Sequence, residues 1–271
     1  MKRNFKSFVD SALAEDIGEG DITSELTVAA RLEAKGTFFA RQDCVIAGTF
    51  LLPEMYDRLE ILAPDGTAVA KDTPIAKVEG RARHLLSRER TALNFLQRLS
   101  GIATLTRKYV DQLSGTKCQL LDTRKTTPGL RVLEKMATKA GGALNHRMGL
   151  HDAVLIKNNH ISAAGGVGPA LQAALGKHPR VEIEVRTWEQ LNEALQYGAK
   201  HLLLDNLTPE EARKWIEHVN GRADCEISGG VTLETIRAYA EAGADFISVG
   251  AITHSATSVD LNFRLWLSSS R

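Results

Sequence analysis

VEIEVRTWEQLNEALQYGAKHLLLDN, residues Val181–Asn206, is the stretch whose reading decides the fold. A short apolar run at Val181–Val185 leads into a helical pattern at Trp188–Tyr197, then a Gly-Ala turn and a second apolar run at His201–Asp205. Strand, helix and strand at this spacing read as a parallel pair joined by a crossover helix. The form returns at AGADFISVGA, Ala242–Ala251. Further strands are expected at Cys118–Leu121, Ala153–Lys157, Asp224–Ser228 and Phe246–Gly250, with helices at Pro209–Val219 and Leu233–Ala242. Six or seven such units favour an α/β barrel over an open Rossmann sheet, and no GxGxxG follows a strand.

Upstream the texture differs. Phe5, Phe8, Val9 and Leu13 mark an amphipathic helix that stops at the glycines of Ile17–Asp21, and EDIGEGDIT reads as a capped loop. Strands at Gly36–Ala40 and Val45–Gly48, a Pro64–Gly66 turn and the apolar Val69, Ile75 and Val78 follow one another without intervening helices, which reads as an α+β unit. A helical pattern from Leu85 to Leu113 is expected to break near Ser100–Gly101. Arg90 falls between Leu86 and Leu93 on its apolar face, either as a snorkelling arginine or as a cation serving an anionic site in a second subunit. Beyond Thr253, the alternation Leu261, Phe263, Leu265, Leu267 reads as a final strand returning to the first domain.

The balance of 34 Lys and Arg against 33 Asp and Glu gives no reason to expect nucleic-acid binding. No apolar run is long enough to span a bilayer, and the early acids of the N-terminus do not suit a signal peptide, so a cytoplasmic protein is expected. Cys44, Cys118 and Cys225, odd in number and widely spaced, read as buried thiols.

Against this neutral background, Leu121–His160 carries seven Lys or Arg and three Asp or Glu, a local excess of four positive charges. Such an island suits a small, multiply charged anion. Thr127 is placed as an N-cap with Pro128 at the first helical position, and Gly141 and Gly142 end that helix. Two strand ends and one loop then offer Arg124, Lys125, Arg147 and Lys157 to a common place. His146 reads either as a participant or as a structural histidine, and His160 as structural.

In a barrel, chemistry gathers at the strand C-terminal ends. There the sequence places Glu184 and Asp205, readable as buried acids paired to arginine or as holders of a metal or sugar hydroxyls. It also places Ser228, Gly229 and Gly230 of ISGG, and Gly250 and Ala251 of SVGA, where backbone N–H groups at helix starts would bind phosphate.

ERTALNFLQRLSGIAT (Glu89–Thr104), LDTRKTTPGLR (Leu121–Arg131), GGALNHRMGLHD (Gly141–Asp152), LIKNNH (Leu155–His160), EIEV, LLLDN, ISGG and SVGAITHS closely resemble the quinolinate phosphoribosyltransferase family, in its order and over nearly the whole chain. The resemblance implies an N-terminal α/β sandwich over 1–113, an incomplete TIM-like α/β barrel over 114–257, and a segment 258–271 packing back on the first domain. It implies Mg²⁺-dependent conversion of quinolinate and phosphoribosyl pyrophosphate to nicotinate mononucleotide, pyrophosphate and CO₂ in NAD biosynthesis, by a homodimer with shared sites. Carried over residue by residue, it assigns Arg124, His146 and Arg147 to quinolinate, with Arg90 supplied by the partner subunit. Lys125 and Lys157 lie between the substrates, Glu184 and Asp205 near ribose and magnesium, and the glycine motifs at phosphate. One departure stands out: the family carries an acid in IK(D/E)NH where this chain has Asn158. The competing readings are a sibling transferase acting on another acid, a Schiff-base barrel aldolase using Lys125 or Lys157, and a non-catalytic metabolite-binding protein.

Overall fold

In a computed structural model that describes residues 5–267, the strands in chain order are β1 (Glu33–Ala40), β2 (Cys44–Val45), β3 (Arg58–Ile61), β4 (Ala68–Val69), β5 (Pro74–Arg81), β6 (Gln119–Leu121), β7 (Val154–Ile156), β8 (Val181–Val185), β9 (His201–Asp205), β10 (Asp224–Ser228), β11 (Phe246–Ser248) and β12 (Leu261–Leu267). The chain divides into two compact units. One takes the residues up to Leu105, residues 139–141 and those from Ala256 onward; the other takes Thr106–Thr138 and Gly142–Ser255. The division falls inside a helix, Ala82–Gln112, ahead of the boundary at 113–114 expected from sequence.

The first unit is built on a four-stranded antiparallel sheet of order β12-β1-β5-β3. The returning strand is present, since β12 pairs along β1 from Leu261 opposite Ala40 to Leu267 opposite Ala34. The rest of the expected 258–271 segment, residues 268–271, lies outside the described residues. Helix Lys6–Ile17 ends at Gly18, and Asp21 caps the next helix by accepting the Ser24 N–H at 3.0 Å. The expected break at Ser100–Gly101 is absent, because helix Ala82–Gln112 runs through it. Glycine serves close approach there: a Cβ at Gly101 would stand 2.1 Å from the Thr257 carbonyl oxygen. The Ser100 hydroxyl accepts the Ala47 N–H at 2.9 Å instead of disturbing the helix.

The second unit is a six-stranded, wholly parallel sheet of order β6-β11-β10-β9-β8-β7. Neighbours in chain order are neighbours in space except at one place. Strand β6 pairs with the last strand, β11, while β6 and β7, consecutive in sequence, are the two edges. That is an α/β barrel left open at one seam. The loop after helix Arg131–Gly141 enters beside β6, where Leu144 makes an isolated parallel bridge to Leu121. It thereby delivers Asn145, His146 and Arg147 to the barrel.

Strand β8 is buried along its full length, so Val181, Ile183 and Val185 fill one face while Glu182 and Glu184 share the other. Its helices start where the sequence supplies caps: Thr187 accepts the Gln190 N–H, and Thr208, Pro209 and Glu211 form a capping box with proline at the first turn. One start is displaced. Helix Arg131–Gly141 begins three residues after Pro128, because the Glu134 carboxylate accepts both the N–H and the hydroxyl of Thr127 (3.0 and 2.8 Å) and holds residues 127–130 as a turn.

Candidate active site

A cleft of about 630 Å³ opens at the C-terminal ends of the barrel strands. The four cations singled out from the sequence all line it: Arg124 and Lys125 after β6, Arg147 from the seam loop and Lys157 after β7. Lys125 and Lys157 are exposed, and neither ammonium has a side-chain partner among the described residues. Arg147 is buried at 7% exposure and donates through Nη1 to the Ala153 carbonyl at 3.2 Å. Burial, and then the nearby Arg124 charge, depress its pKa. Arg124 keeps a buried Nε with no hydrogen-bond partner. Two adjacent guanidiniums, one with an unsatisfied donor, favour a carboxylate between them.

One other cation of the island is structural. Lys135 is fully buried, its ammonium on Asp122 at 2.5 Å and on the His146 carbonyl at 2.8 Å. Asp122 is equally buried and also accepts from the Thr138 hydroxyl (2.9 Å), Asn145 Nδ2 (2.6 Å) and the His146 N–H (2.9 Å). This hub joins the end of β6, helix Arg131–Gly141 and the seam loop, and so fixes where Arg124 and Arg147 emerge. In the sequence Lys135 is one of the seven cations of Leu121–His160, and nothing there marks its partner Asp122.

Below the cations, His146 Nε2 lies 3.1 Å from Glu182 Oε2 and 3.6 Å from Glu226 Oε2, with all three residues buried. Burial, the largest single influence, works to raise the Glu182 carboxyl, but the contacts with His146, Glu226 and Arg180 together outweigh it and hold the group below the ordinary 4.5. Glu226 is raised well above 4.5 by burial and by the Glu182 charge. The ligand atoms of the three lie within 4.8 Å of one another, close enough for a metal ion. The His146–Glu182 contact is a hydrogen bond, and burial with mutual repulsion drives the two neighbouring carboxyl groups in opposite directions.

Glu184 and Asp205 stand at neighbouring strand ends, and Nη2 of Arg186 reaches both, 2.7 Å from Glu184 Oε1 and 2.8 Å from Asp205 Oδ2. Both acids are thus ion-paired to one arginine. Arg186 was not singled out from the sequence, where an arginine after a strand carries no mark. Next to them, Ser228, Gly229 and Gly230 line the cleft. Gly229, at φ +96°, could not bear a side chain, since its Cβ would meet Asn206 Oδ1 at 2.3 Å. The expected helix start is not there: helix Ile236–Glu241 begins later, so these N–H groups belong to a loop with successive positive φ.

Gly250 and Ala251 do not line the cleft. They begin the one-turn helix Ala251–His254, from which the Thr253 hydroxyl donates to the Lys125 carbonyl at 2.7 Å and steadies that loop. Arg90 is exposed on helix Ala82–Gln112 and does not line the cleft either. His160 is structural, its Nδ1 accepting the Lys157 N–H at 2.9 Å, and Asn158 opens helix Asn158–Ala164. The three cysteines are buried free thiols, Cys44 pushed up to about 11 and Cys118 and Cys225 to about 12, chiefly by burial.

Fold and site together define a barrel protein with a strongly cationic cleft, two facing acids and a glycine loop, the equipment for handling a polyanion. Residues 21–100 match the quinolinate phosphoribosyl transferase N-terminal domain and residues 102–264 the C-terminal domain. The chain belongs to the quinolinate phosphoribosyl transferase family. It is 39% identical to the probable nicotinate-nucleotide pyrophosphorylase [carboxylating] of Bacillus subtilis (strain 168), covering 97% of this chain and 94% of the relative. It is likewise 39% identical to the chloroplastic nicotinate-nucleotide pyrophosphorylase [carboxylating] of Arabidopsis thaliana, over 97% and 83%. The crystal structure of nicotinate-nucleotide pyrophosphorylase from Ehrlichia chaffeensis superposes with a TM-score of 0.93 at 36% identity, over 98% of this chain and 100% of that one.

Proposed function

We propose that this protein transfers the phosphoribosyl group of phosphoribosyl pyrophosphate to the ring nitrogen of quinolinate and decarboxylates the product, giving nicotinate mononucleotide, pyrophosphate and CO₂ for NAD biosynthesis. The observation that carries the reading is the gathering of Arg124, Arg147, Lys125 and Lys157 around the acids Glu184 and Asp205 in one cleft.

Quinolinate brings two adjacent carboxylates, and planar guanidiniums suit them by forked hydrogen bonds; Arg124 offers its unpaired Nε for this. Lysine is a compact point charge, suited to phosphate oxygens, and Lys125 and Lys157 supply two. The pyridine nitrogen forms its bond to ribose C1 as the bond from C1 to the pyrophosphate oxygen breaks, so no protein nucleophile is needed. Glu184 and Asp205 hold the ribose while cationic character develops there. The Gly229–Gly230 turn presents backbone N–H groups to phosphate. With the ring nitrogen quaternary, the carboxylate beside it leaves as CO₂, the electron pair stays on the ring carbon, and a proton replaces it. Much of the rate then comes from positioning and fixed charge.

Mg²⁺ fits the same acids. They already converge on one guanidinium nitrogen, which marks the locus as one for a cation, and their oxygen donors suit a hard ion. Bound there, Mg²⁺ would stabilise the charge of departing pyrophosphate. The reading includes a homodimer in which Arg90 completes the neighbouring site, supported by its exposure. Mixing Arg90→Ala with Lys157→Ala subunits then restores activity, and no recovery after demonstrated subunit exchange rejects the shared site. Cytoplasmic location is part of the proposal, supported by the three free thiols; among the described residues no helix is long and apolar enough to cross a membrane.

A Schiff-base aldolase would need a desolvated lysine, and Lys125 and Lys157 are exposed among other cations. The sibling-transferase reading is separated by comparing quinolinate with nicotinate, which lacks one carboxylate. Two arginines built for two carboxylates predict turnover of quinolinate alone; equal turnover of nicotinate would reject the assignment.

A further inference from the structure

Arg186 occupies the locus that the proposed function gives to a divalent cation. Its Nη2 stands between Glu184 and Asp205, which are 7% and 12% exposed as side chains, while the Arg186 side chain is 47% exposed. The two acids come from adjacent strands, and without a cation their charges would repel each other at close range. The fit of the guanidinium is nonetheless imperfect. Glu184 Oε1 is buried and lacks an aligned hydrogen bond although Nη2 is 2.7 Å away, so the ion pair exists by distance only. Asp205 Oδ2 is shared with Asn206 Nδ2 at 2.8 Å.

The backbone of Arg186 is held, its N–H donating to Gln190 Oε1 at 2.8 Å, whereas its guanidinium has no third partner among the described residues. The side chain can therefore turn into solvent without moving β8. A magnesium ion takes near-ideal octahedral oxygen ligands and can use the misaligned Oε1 that the planar guanidinium leaves unsatisfied.

We propose that Arg186 is a resident counter-ion for Glu184 and Asp205, competing with the divalent cation for the acid pair and leaving it when the ion arrives with the ribosyl donor. The inference rests on the reading that these acids hold the metal. In the resting protein the guanidinium keeps the two carboxylates together and offsets part of their charge. On loading, the ion displaces it and frees a fifth positive side chain at the mouth of the cleft.

The test is Mn²⁺ binding to the purified, substrate-free protein, followed by the loss of the free-ion electron paramagnetic resonance signal and by Mg²⁺ competition. Arg186→Ala should tighten Mn²⁺ binding about fivefold, the size expected for one partly exposed ion pair, with Arg186→Lys in between. Unchanged or weaker Mn²⁺ binding by Arg186→Ala overturns the counter-ion role, including the case in which only ribosyl-donor affinity falls. Asp205→Asn separates this from failure of the underlying reading: if it binds Mn²⁺ as the natural protein does, the acids do not hold the metal. Tighter binding by Arg186→Ala together with loss in Asp205→Asn supports both.

Discussion

The backbone N–H of Arg147 donates to Nδ1 of His146 at 2.7 Å. Assigned from this network, the imidazole is an acceptor at Nδ1 and carries its proton on Nε2, directed to Glu182 at 3.1 Å. Both ring nitrogens are thus engaged within the protein, and His146 meets the cleft as a wall that holds the main chain of Arg147 in place.

Replacing Glu182 by Leu would strand the Nε2 proton. The expected outcome is a stability loss of about 1–3 kcal/mol and a roughly tenfold rise in quinolinate KM with a smaller change in kcat. Glu182→Gln keeps an acceptor and should stay near the parent. Steady-state kinetics with the ¹⁵N shifts of His146 check this; an unchanged KM in Glu182→Leu would remove the orienting role.

Glu226 gives a pH prediction. Its pKa in the folded protein lies well above 4.5, so its contribution to stability is fully present below 4.5 and is lost as pH rises through the folded value. Glu226→Gln, permanently neutral, escapes that loss. Urea unfolding at a series of pH values upward from 4.5 should show the variant gaining on the parent as pH rises; parallel curves would mean that Glu226 is ionised when folded.

Asp122 and Lys135 form a pair with 0% side-chain exposure on both partners. Asp122→Asn leaves a buried ammonium without its counter-charge and should cost about 3–5 kcal/mol, while adding Lys135→Met should recover much of that. Thermal and urea unfolding of the two single variants and the double variant measure the coupling. Additive losses would show that the pair does not act as a unit.

How the site could be read from the chain depends on the kind of signal. The βα repeats of Val181–Asn206 and Ala242–Ala251 are periodic, and periodicity places Lys157, Glu184, Asp205 and Ser228 at strand ends without knowledge of packing. Pairing partners leave no such trace. Lys135 has the same letter as Lys125, yet one is buried against Asp122 and the other faces the cleft. Gly101 looked like a helix break because glycine is a poor helix former, whereas tertiary contact with Thr257 decides its use. Arg186 was invisible because its meaning comes from two acids on different strands.

The cationic wall has its own test. Arg124→Ala or Arg147→Ala should raise quinolinate KM about 100-fold, the size of a lost forked carboxylate contact, and Arg124→Lys should recover little because an ammonium cannot make the fork. Kinetics at saturating ribosyl donor read this directly. Parent-like KM in either alanine variant would take that arginine out of the substrate contact.

The central claim is most directly tested by incubating the purified protein with quinolinate, phosphoribosyl pyrophosphate and Mg²⁺ while following nicotinate mononucleotide and CO₂ together. Equal amounts of both products, lost when either substrate is omitted, are the predicted result. Folded protein that forms neither product, or releases CO₂ without the nucleotide, would contradict the account.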